Sequence, residues 1–232
     1  MKFFTVVQAI FLAFSATASA LSSRTTTDLY KRLNINDTVF LMLDHQAGPF
    51  SLVDDWQSSE FKANVLELAE ASALLDISVV LTSSIEEGLN GPLILEVRSL
   101  LKNPVYVPRK GEINAWDNAD VVKTIKATGR KQIVMAGIVT DVCVTFPALS
   151  AVQESYEVFT VLDASGTFNQ RVRDFSLARM VQAGIQPMNF FSTVCELARD
   201  WRNFADGSLG ALFAKYIPDY NNLTISYSAK SQ

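Results

Sequence analysis

Histidine and cysteine are scarce in this chain, and their scarcity limits the chemistry it can carry. Its 232 residues include one histidine, His45, and two cysteines, Cys143 and Cys195. Two cysteines are too few for the disulfide framework of small secreted domains, so we expect a hydrophobic core to hold the fold. A single histidine argues against a catalytic zinc site, which usually needs several nitrogen or carboxylate ligands. We therefore expect neither a metal nor another cofactor, and we interpret His45 as a structural residue.

Clusters of positive charge are also lacking. The formal net charge is −4, the isoelectric point lies near 5.1, and the lysines and arginines are scattered along the chain. A protein that follows a phosphate backbone needs a basic face, so nucleic acid is not expected as a partner. The chain also lacks a Cys-x-x-Cys motif, which disfavours a redox protein.

One long apolar run stands at the N-terminus. It extends from Phe3 to Phe14, follows Lys2, and precedes the small residues Ala18, Ser19 and Ala20. This pattern predicts a secretory signal peptide over residues 1–20, cleaved near Ala20. The alternatives are an uncleaved anchor and a buried helix. Cleavage predicts a secreted protein without a membrane segment, and the two sequons at Asn36 and Asn222 are then candidate glycosylation sites.

Beyond residue 37, short apolar runs alternate with amphipathic stretches. We expect a lead-in segment over 21–37, one domain over 38–217 and a polar C-terminal tail over 218–232. The predicted strands cover 38–43, 77–82, 105–107, 133–137, 156–161 and, more weakly, 185–190. The predicted helices cover 58–75, 91–101, 117–127, 141–154, 171–183 and 192–201. Strands that read as continuous apolar runs are covered on both faces. The pattern predicts an α/β fold: a three-layer, doubly wound, mostly parallel sheet of Rossmann-like type with helices on both faces.

The residues suited to catalysis follow the predicted strands. Asp44 follows the first strand, Ser83 and Ser84 follow the second, Lys110 follows the third and Cys143 follows the fourth. In open parallel sheets, ligands bind beyond the carboxyl ends of the strands. We therefore expect a carboxylate, a cation and a thiol to meet at one edge of the sheet, around a small-molecule substrate.

Cys143 lies where a buried strand ends at Gly137 and a helix begins near Asp141. The free N–H groups and positive end of a helix favour the thiolate, so Cys143 is a candidate nucleophile. The alternative is a buried apolar cysteine, which is common. Cys195, among apolar neighbours on a late helix, is interpreted as a structural thiol. A Cys143–Cys195 disulfide is the remaining possibility, and it would remove the nucleophile.

Asp44 and Lys110 are the candidate partners of the thiol. A carboxylate at the end of a core strand needs a partner or a task, and Asp44 could move protons for the thiol, the leaving amine and water. A turn or cap role is the alternative for Asp44. Lys110 could lower the thiol pKa and stabilise an oxyanion, and Arg109 could take this electrostatic role instead. Four further residues are candidates for substrate contacts: Gln46, Phe50, Asn114 and Trp116. Core packing is the alternative for Phe50, Asn114 and Trp116.

Three separated motifs together resemble a known family. They are Leu43-Asp44-His45-Gln46, then Lys110 ahead of Ala115-Trp116, then Gly137-Ile138-Val139-Thr140-Asp141-Val142-Cys143-Val144. This set is similar to the isochorismatase-like cysteine hydrolases. The resemblance is closest to the YcaC-related branch through four motifs: Asp44-His45-Gln46-Ala47-Gly48, Ile113-Asn114-Ala115-Trp116-Asp117-Asn118, Phe146-Pro147-Ala148-Leu149-Ser150 and Asp163-Ala164-Ser165-Gly166-Thr167-Phe168. The resemblance runs from Thr38 to Tyr220.

The resemblance implies a fold and a mechanism. It implies a six-stranded parallel sheet, an Asp44, Lys110 and Cys143 triad, and a commonly oligomeric protein, here a homo-oligomer. It also implies a non-proline cis peptide near Val139-Thr140, so that backbone N–H groups there and at Cys143 form an oxyanion hole. The expected activity is hydrolysis of a small carboxamide or related C–N bond through a thioester.

The predicted signal peptide departs from the family, whose members are mostly intracellular, and two further comparisons with the family narrow the expected activity. Nicotinamidases of this superfamily use a metal-binding aspartate and histidines, which a chain with one histidine cannot supply. True isochorismatases need no thiol nucleophile, so Cys143 favours the amide-cleaving members. An isochorismatase-type hydrolase of another metabolite and a catalytically silent secreted binding or effector protein remain the alternatives.

Overall fold

A six-stranded parallel sheet forms the centre of the fold. In the computed structural model, which describes residues 30–230, the strand order is β3-β2-β1-β4-β5-β6. Every strand pairs in parallel with its neighbours. The strands are β1 (Thr38–Leu43), β2 (Ser78–Ser84), β3 (Val105–Arg109), β4 (Gln132–Gly137), β5 (Glu157–Val161) and β6 (Gln186–Met188). Each strand lies within two residues of its predicted bounds.

Helices cover both faces of the sheet. They are α1 (Ala47–Phe50), α2 (Ser58–Leu74), α3 (Leu95–Leu100), α4 (Ala119–Ala127), α5 (Thr145–Gln153), α6 (Gln170–Gln182), α7 (Phe190–Ala198), α8 (Ser208–Tyr216) and α9 (Pro218–Lys230). One apolar core contains Phe40, Met42 and Phe61, and a second contains Leu41 and Ile133. Alternate residues of β1 therefore point to opposite faces, each covered by a separate core. The predicted doubly wound α/β fold is confirmed.

The helix bounds differ from the sequence prediction at two places near the cleft. The helix predicted over 91–101 begins at Leu95, because Leu93 pairs with Gln46 in a short antiparallel bridge. The helix predicted over 141–154 begins as a π-helical turn, Thr140–Val144, and becomes α-helical only at Thr145.

The segment predicted as a polar C-terminal tail forms helix α9. Its Tyr220 ring lies 5.3 Å from the Phe213 ring and 6.5 Å from the Trp201 ring, so the helix is anchored by aromatic packing. None of the helices among residues 30–230 is long and apolar enough to cross a membrane. The predicted signal peptide, residues 1–20, lies outside the described residues, as does most of the lead-in segment.

Candidate active site

Asp44 follows β1 directly and turns its carboxylate into a cleft at the carboxyl edge of the sheet. Its backbone adopts a left-handed conformation, with φ of 55°, and its N–H donates to the Thr82 carbonyl at 3.0 Å. Aspartate is one of the few residues that tolerate this conformation. Asp44 is therefore suited both to the turn and to a buried acidic position, with 2% of its surface exposed.

Cys143 reaches the same cleft from β4. At the end of β4, Gly137 pairs with Leu43, and a side chain at Gly137 would place its Cβ 2.4 Å from the Leu43 carbonyl oxygen. Only glycine permits this approach. A cis peptide joins Ile138 to Val139, one bond earlier than the predicted Val139-Thr140 bond, and the π-helical turn that follows carries Cys143.

Arg109, at the end of β3, is the cation of this cleft. One terminal nitrogen of its guanidinium donates to both carboxylate oxygens of Asp44. Its Nε donates to Thr82 Oγ1 at 3.1 Å, and its other terminal nitrogen donates to the backbone carbonyls of Glu112 and Ile113. The Arg109 side chain is fully buried. The pair therefore forms a rigid charged unit inside the protein.

Lys110 does not occupy the predicted position. It follows Arg109 with its side chain exposed, and it does not line the cleft. Residues at the end of β3 alternate between buried and exposed, so burial of Arg109 directs Lys110 outward. The structure thus corrects the predicted triad geometry: the cation beside Asp44 is Arg109, which was the alternative.

Burial controls the protonation of the thiol and the carboxyl. Burial, and after it the Asp44 charge and the hydrogen bond between the two groups, raise the pKa of Cys143 to about 12, although the Val139 N–H and Arg109 act in the opposite direction. Burial also raises the pKa of Asp44, and Arg109 and the Cys143 thiol oppose this. The expected thiolate at the helix start is therefore not the resting form. The resting site holds a thiol that donates to the Asp44 carboxylate.

The predicted oxyanion hole is present only in part. The Val139 N–H donates to the Cys143 sulfur. The Thr140 N–H instead donates to the Gly166 carbonyl at 3.0 Å, so it is not available to a substrate oxygen. Of the three predicted positions, Val139 and Cys143 line the cleft and Thr140 is fully buried.

These groups open onto a cavity of about 230 Å³. Its lining is Asp44, Pro49, Leu52, Ser84, Ile85, Asn90, Arg109, Gly111, Ile113, Ile138, Val139 and Cys143. The carboxylate, the guanidinium and the thiol thus share one small cavity with mainly apolar walls. This arrangement suits proton transfer to and from a sulfur nucleophile.

Gln46 and Phe50 lie outside the cavity lining, contrary to the prediction. Gln46 is fully buried; its side chain accepts from the Ser84 N–H at 2.9 Å and donates to the Ser84 and Gly91 carbonyls. Its hydrogen-bonding groups are thereby used to hold the loop after β2. Phe50 packs against Phe61, with ring centroids 4.9 Å apart, and belongs to the core.

Asn114 and Trp116 are also structural. The Asn114 side chain accepts from the Trp116 N–H at 3.0 Å and donates to Ser150 Oγ, capping a short helical turn. The Trp116 indole is buried in the core and donates to Glu154 at 2.9 Å. Trp116 borders a different cavity, and neither side chain lines the one that contains Cys143.

His45 and Cys195 take no part in the cleft. The His45 Nε2 donates to the Ala164 carbonyl at 3.1 Å, and burial lowers the pKa of this ring to about 4, so it is neutral. Cys195 and Cys143 are both free, half-buried thiols. Within residues 30–230, no group of three or more histidine, cysteine, aspartate or glutamate side chains could hold a metal ion.

Sequence reasoning missed several residues of the cavity wall. Ser84 was expected at this edge of the sheet, where it ends β2 close to Asp44, but it was not predicted to contact the substrate. Ile113 was noted only as part of a motif of the family resemblance. Leu52, Ile85 and Asn90 lie in connecting loops, where no motif or periodicity marks them. Loop paths depend on tertiary packing, so the sequence carried no signal for these three.

Several known proteins are similar to this chain in sequence. The family model described as "Isochorismatase domain" matches residues 38–190. The chain is 51% identical over 198 residues to the probable hydrolase YcaC of Escherichia coli, covering 85% of this chain and 95% of that protein.

Two crystal structures are similar in fold and in sequence. One is YcaC from Pseudomonas aeruginosa with hexane-2,5-diol and covalent acrylamide, with a TM-score of 0.84, 53% identity, and coverage of 86% of this chain and 98% of that one. The other is the Escherichia coli YcaC product, described as an octameric hydrolase of unknown specificity, with a TM-score of 0.84, 51% identity and the same coverage.

Proposed function

The chain belongs to the isochorismatase family of hydrolases, and from this premise we propose that it is a cysteine hydrolase that cleaves the C–N bond of a small carboxamide. The observation that carries the proposal is the chain of contacts from Cys143 to Asp44 to Arg109 in one cavity. A nucleophile, a base within hydrogen-bond reach and a group that orients the base are the elements of nucleophilic catalysis.

Asp44 moves the protons in this mechanism. Its carboxylate takes the thiol proton as the Cys143 sulfur attacks the carbonyl carbon, giving a tetrahedral adduct. Asp44 then gives that proton to the departing nitrogen, the C–N bond breaks, and ammonia or an amine leaves a thioester on Cys143. Water attacks the thioester after giving a proton to Asp44, and return of this proton to the sulfur releases the carboxylic acid. Asp44 thus acts alternately as base and acid.

The protonation state of the resting site fits this sequence. A thiol with a pKa near 12 is a weak nucleophile until its proton is removed, and Asp44, its pKa raised by burial, is a stronger base than an exposed aspartate. Arg109 replaces Lys110 in the proposal. It orients Asp44 and balances its charge. The Cys143 N–H stabilises the oxyanion, together with the Val139 N–H once the attacking sulfur has released it.

Two properties of the relatives support further parts of the proposal. The Pseudomonas aeruginosa protein is described with covalent acrylamide, which is a small amide, and this supports a small amide as the ligand class. The Escherichia coli protein is octameric, and we extend homo-oligomerisation to this chain.

A panel of small amides with ammonia detection tests the activity. We expect ammonia release from at least one amide, its loss in Cys143→Ala, and its retention in Cys195→Ala, which removes a thiol outside the cavity. A rapid quench should trap an acyl group on the Cys143 peptide. Absence of turnover across the panel, with Cys143 reduced and accessible, would instead favour a catalytically silent binding protein.

Secretion is a separate part of the proposal. Lys2, the following apolar run and Ala18-Ser19-Ala20 support a cleaved signal peptide. Asn36 and Asn222, the two sequon asparagines, are both exposed. After expression in a eukaryotic secretory host, we expect the protein recovered from the culture medium to begin at Leu21. Its electrophoretic mobility should increase when glycans are removed enzymatically. Retention of residues 1–20 on the cell-associated protein would contradict secretion.

A further inference from the structure

The charged groups of the cavity are fully engaged with the protein itself. Arg109 directs its Nε to Thr82 and its terminal nitrogens to Asp44 and to the backbone carbonyls of Glu112 and Ile113. The Asp44 carboxylate is paired in turn with this guanidinium. Together the two groups contribute no net charge, and Arg109 has no donor directed toward a substrate anion.

The remaining polar groups of the wall are neutral. Asn90 donates its amide N–H to the Ser84 carbonyl at 2.8 Å. The Ser84 hydroxyl and the Asn90 amide oxygen have no hydrogen-bond partner among residues 30–230. Apolar side chains supply much of the other wall: Pro49, Leu52, Ile85, Ile113, Ile138 and Val139. The wall thus offers dipoles and hydrocarbon, but no unpaired cation.

The loop that follows β3 adds no cation to the cavity wall. Glu112 stands between Gly111 and Ile113, which both line the cavity. Its carboxylate accepts from the backbone N–H groups of Lys110 and Gly111 at 3.0 and 3.1 Å, and from the Asn118 amide. These bonds hold the Glu112 carboxylate against the backbone of its own loop. Lys110 is exposed and lines no part of the cavity.

We propose that this cavity selects uncharged amides with a short aliphatic acyl group and rejects anionic substrates, with Ile113 as a specificity-determining residue at the rim. The proposal deepens the proposed function and rests on it for the reaction. A cavity of about 230 Å³ is smaller than a usual drug-sized site. An anion would lose hydration there without gaining a free cation as its partner. Ile113 supplies apolar surface at a position where a cavity that binds anions would need a basic residue.

Alkylation of Cys143 tests the charge selection without requiring turnover. Iodoacetamide and iodoacetate differ mainly in charge, and peptide mass spectrometry gives their separate rates at Cys143 and Cys195. We expect the iodoacetamide-to-iodoacetate rate ratio at Cys143 to exceed that of glutathione by about tenfold or more, which corresponds to the discrimination of one unpaired charge. Cys195, outside the cavity, serves as the internal reference.

Rim variants identify the residue responsible. Ile113 is 64% exposed, so Ile113→Lys should fold. It should lower the ratio at Cys143 by about threefold or more, because the new cation attracts iodoacetate. Ile113→Met changes the shape without adding charge and should leave the ratio within about twofold of wild type. An unchanged ratio in Ile113→Lys would overturn the role of Ile113.

The outcomes separate this inference from the proposed function. If Cys143 discriminates between the two reagents but no amide yields ammonia, the proposed hydrolase activity is contradicted and charge selection by the cavity is supported. If an amide yields ammonia but the iodoacetamide-to-iodoacetate rate ratio at Cys143 equals that of glutathione, the hydrolase activity is supported and charge selection is overturned. A turnover test then compares butyramide with succinamate, and higher kcat/KM for succinamate would also overturn the inference. The inference would also be overturned if neither reagent labelled Cys143 in the folded protein while both labelled it after unfolding.

Discussion

Arg109 reaches Asp44 across the intervening strand β2, although the two residues are 65 positions apart in sequence. Its Nε donates to the Thr82 hydroxyl midway, and that hydroxyl donates to the Val107 carbonyl at 2.7 Å. Three neighbouring strands thereby fix one carboxylate beside Cys143.

Arg109 and its neighbour Lys110 should differ greatly in importance. Arg109→Lys keeps the charge but loses the paired contact and several further hydrogen bonds, so the free energy of unfolding should fall by about 2–3 kcal/mol and kcat/KM by about 100-fold. Lys110→Ala should stay within about 0.5 kcal/mol of wild type because the side chain is exposed. Thermal unfolding and initial rates measure both effects. Equal loss in the two variants would contradict the assignment of Arg109.

Asp44→Asn should separate proton transfer from thiol reactivity. Asparagine tolerates the left-handed backbone at φ 55°, so the fold should persist. Hydrolysis should fall by about 10²–10⁴-fold, because the amide cannot accept the thiol proton. Alkylation of Cys143 should nevertheless accelerate at alkaline pH, because the Asp44 charge no longer raises the thiol pKa. Slower alkylation together with lost hydrolysis would contradict the electrostatic part of this account.

The pH dependence of Cys143 alkylation should show a thiol that is protonated at rest. With burial raising its pKa to about 12, the thiolate fraction should rise about tenfold per pH unit between pH 7 and 10, without a plateau. Stopped labelling with iodoacetamide, followed by mass spectrometry of the Cys143 peptide, gives this profile. A rate that levels off below neutral pH would indicate the preformed thiolate that the helix position suggested.

Glu67 should make the protein less stable as the pH rises. It is buried, its carboxyl oxygens have no hydrogen-bond partner among residues 30–230, and burial, with Asp163 and Glu70 nearby, raises its pKa to about 9. The folded state therefore holds this proton more tightly than the unfolded chain. The stabilising contribution is complete below about pH 4.5 and is lost as the pH rises through about 9.

Glu67→Gln should accordingly raise the Tm at pH 9 by a few degrees, about 2–4 °C per kcal/mol, with little change at pH 5. Glu70→Gln is the matched control. Burial raises the pKa of Glu70, but hydrogen bonds from Lys215 and Tyr216 outweigh it and hold the pKa below its usual value. This variant should therefore lower the Tm at pH 8. A Tm gain from Glu70→Gln, or none from Glu67→Gln, would contradict the assigned signs.

The sequence by itself determined the fold class and the position of the chemistry. Continuous apolar runs marked strands covered on both faces, and the strand bounds followed closely. Parallel strands carry their carboxyl ends to one edge, so residues that follow β1 and β4 had to approach each other. The meeting of Asp44 and Cys143 was predictable for this reason.

Tertiary structure alone decided which polar side chains face the cavity. Arg109 and Lys110 are adjacent in sequence, and burial at the end of β3 selected the first. Gln46, Asn114 and Trp116 looked like substrate contacts, but their polar groups serve the protein's own backbone and side chains. The thiol pKa also depends on burial and on Asp44, neither of which a sequence displays. Hydrophobic periodicity indicates which faces of a strand are buried. The orientation and solvation of a polar side chain depend instead on contacts between segments that are distant in sequence.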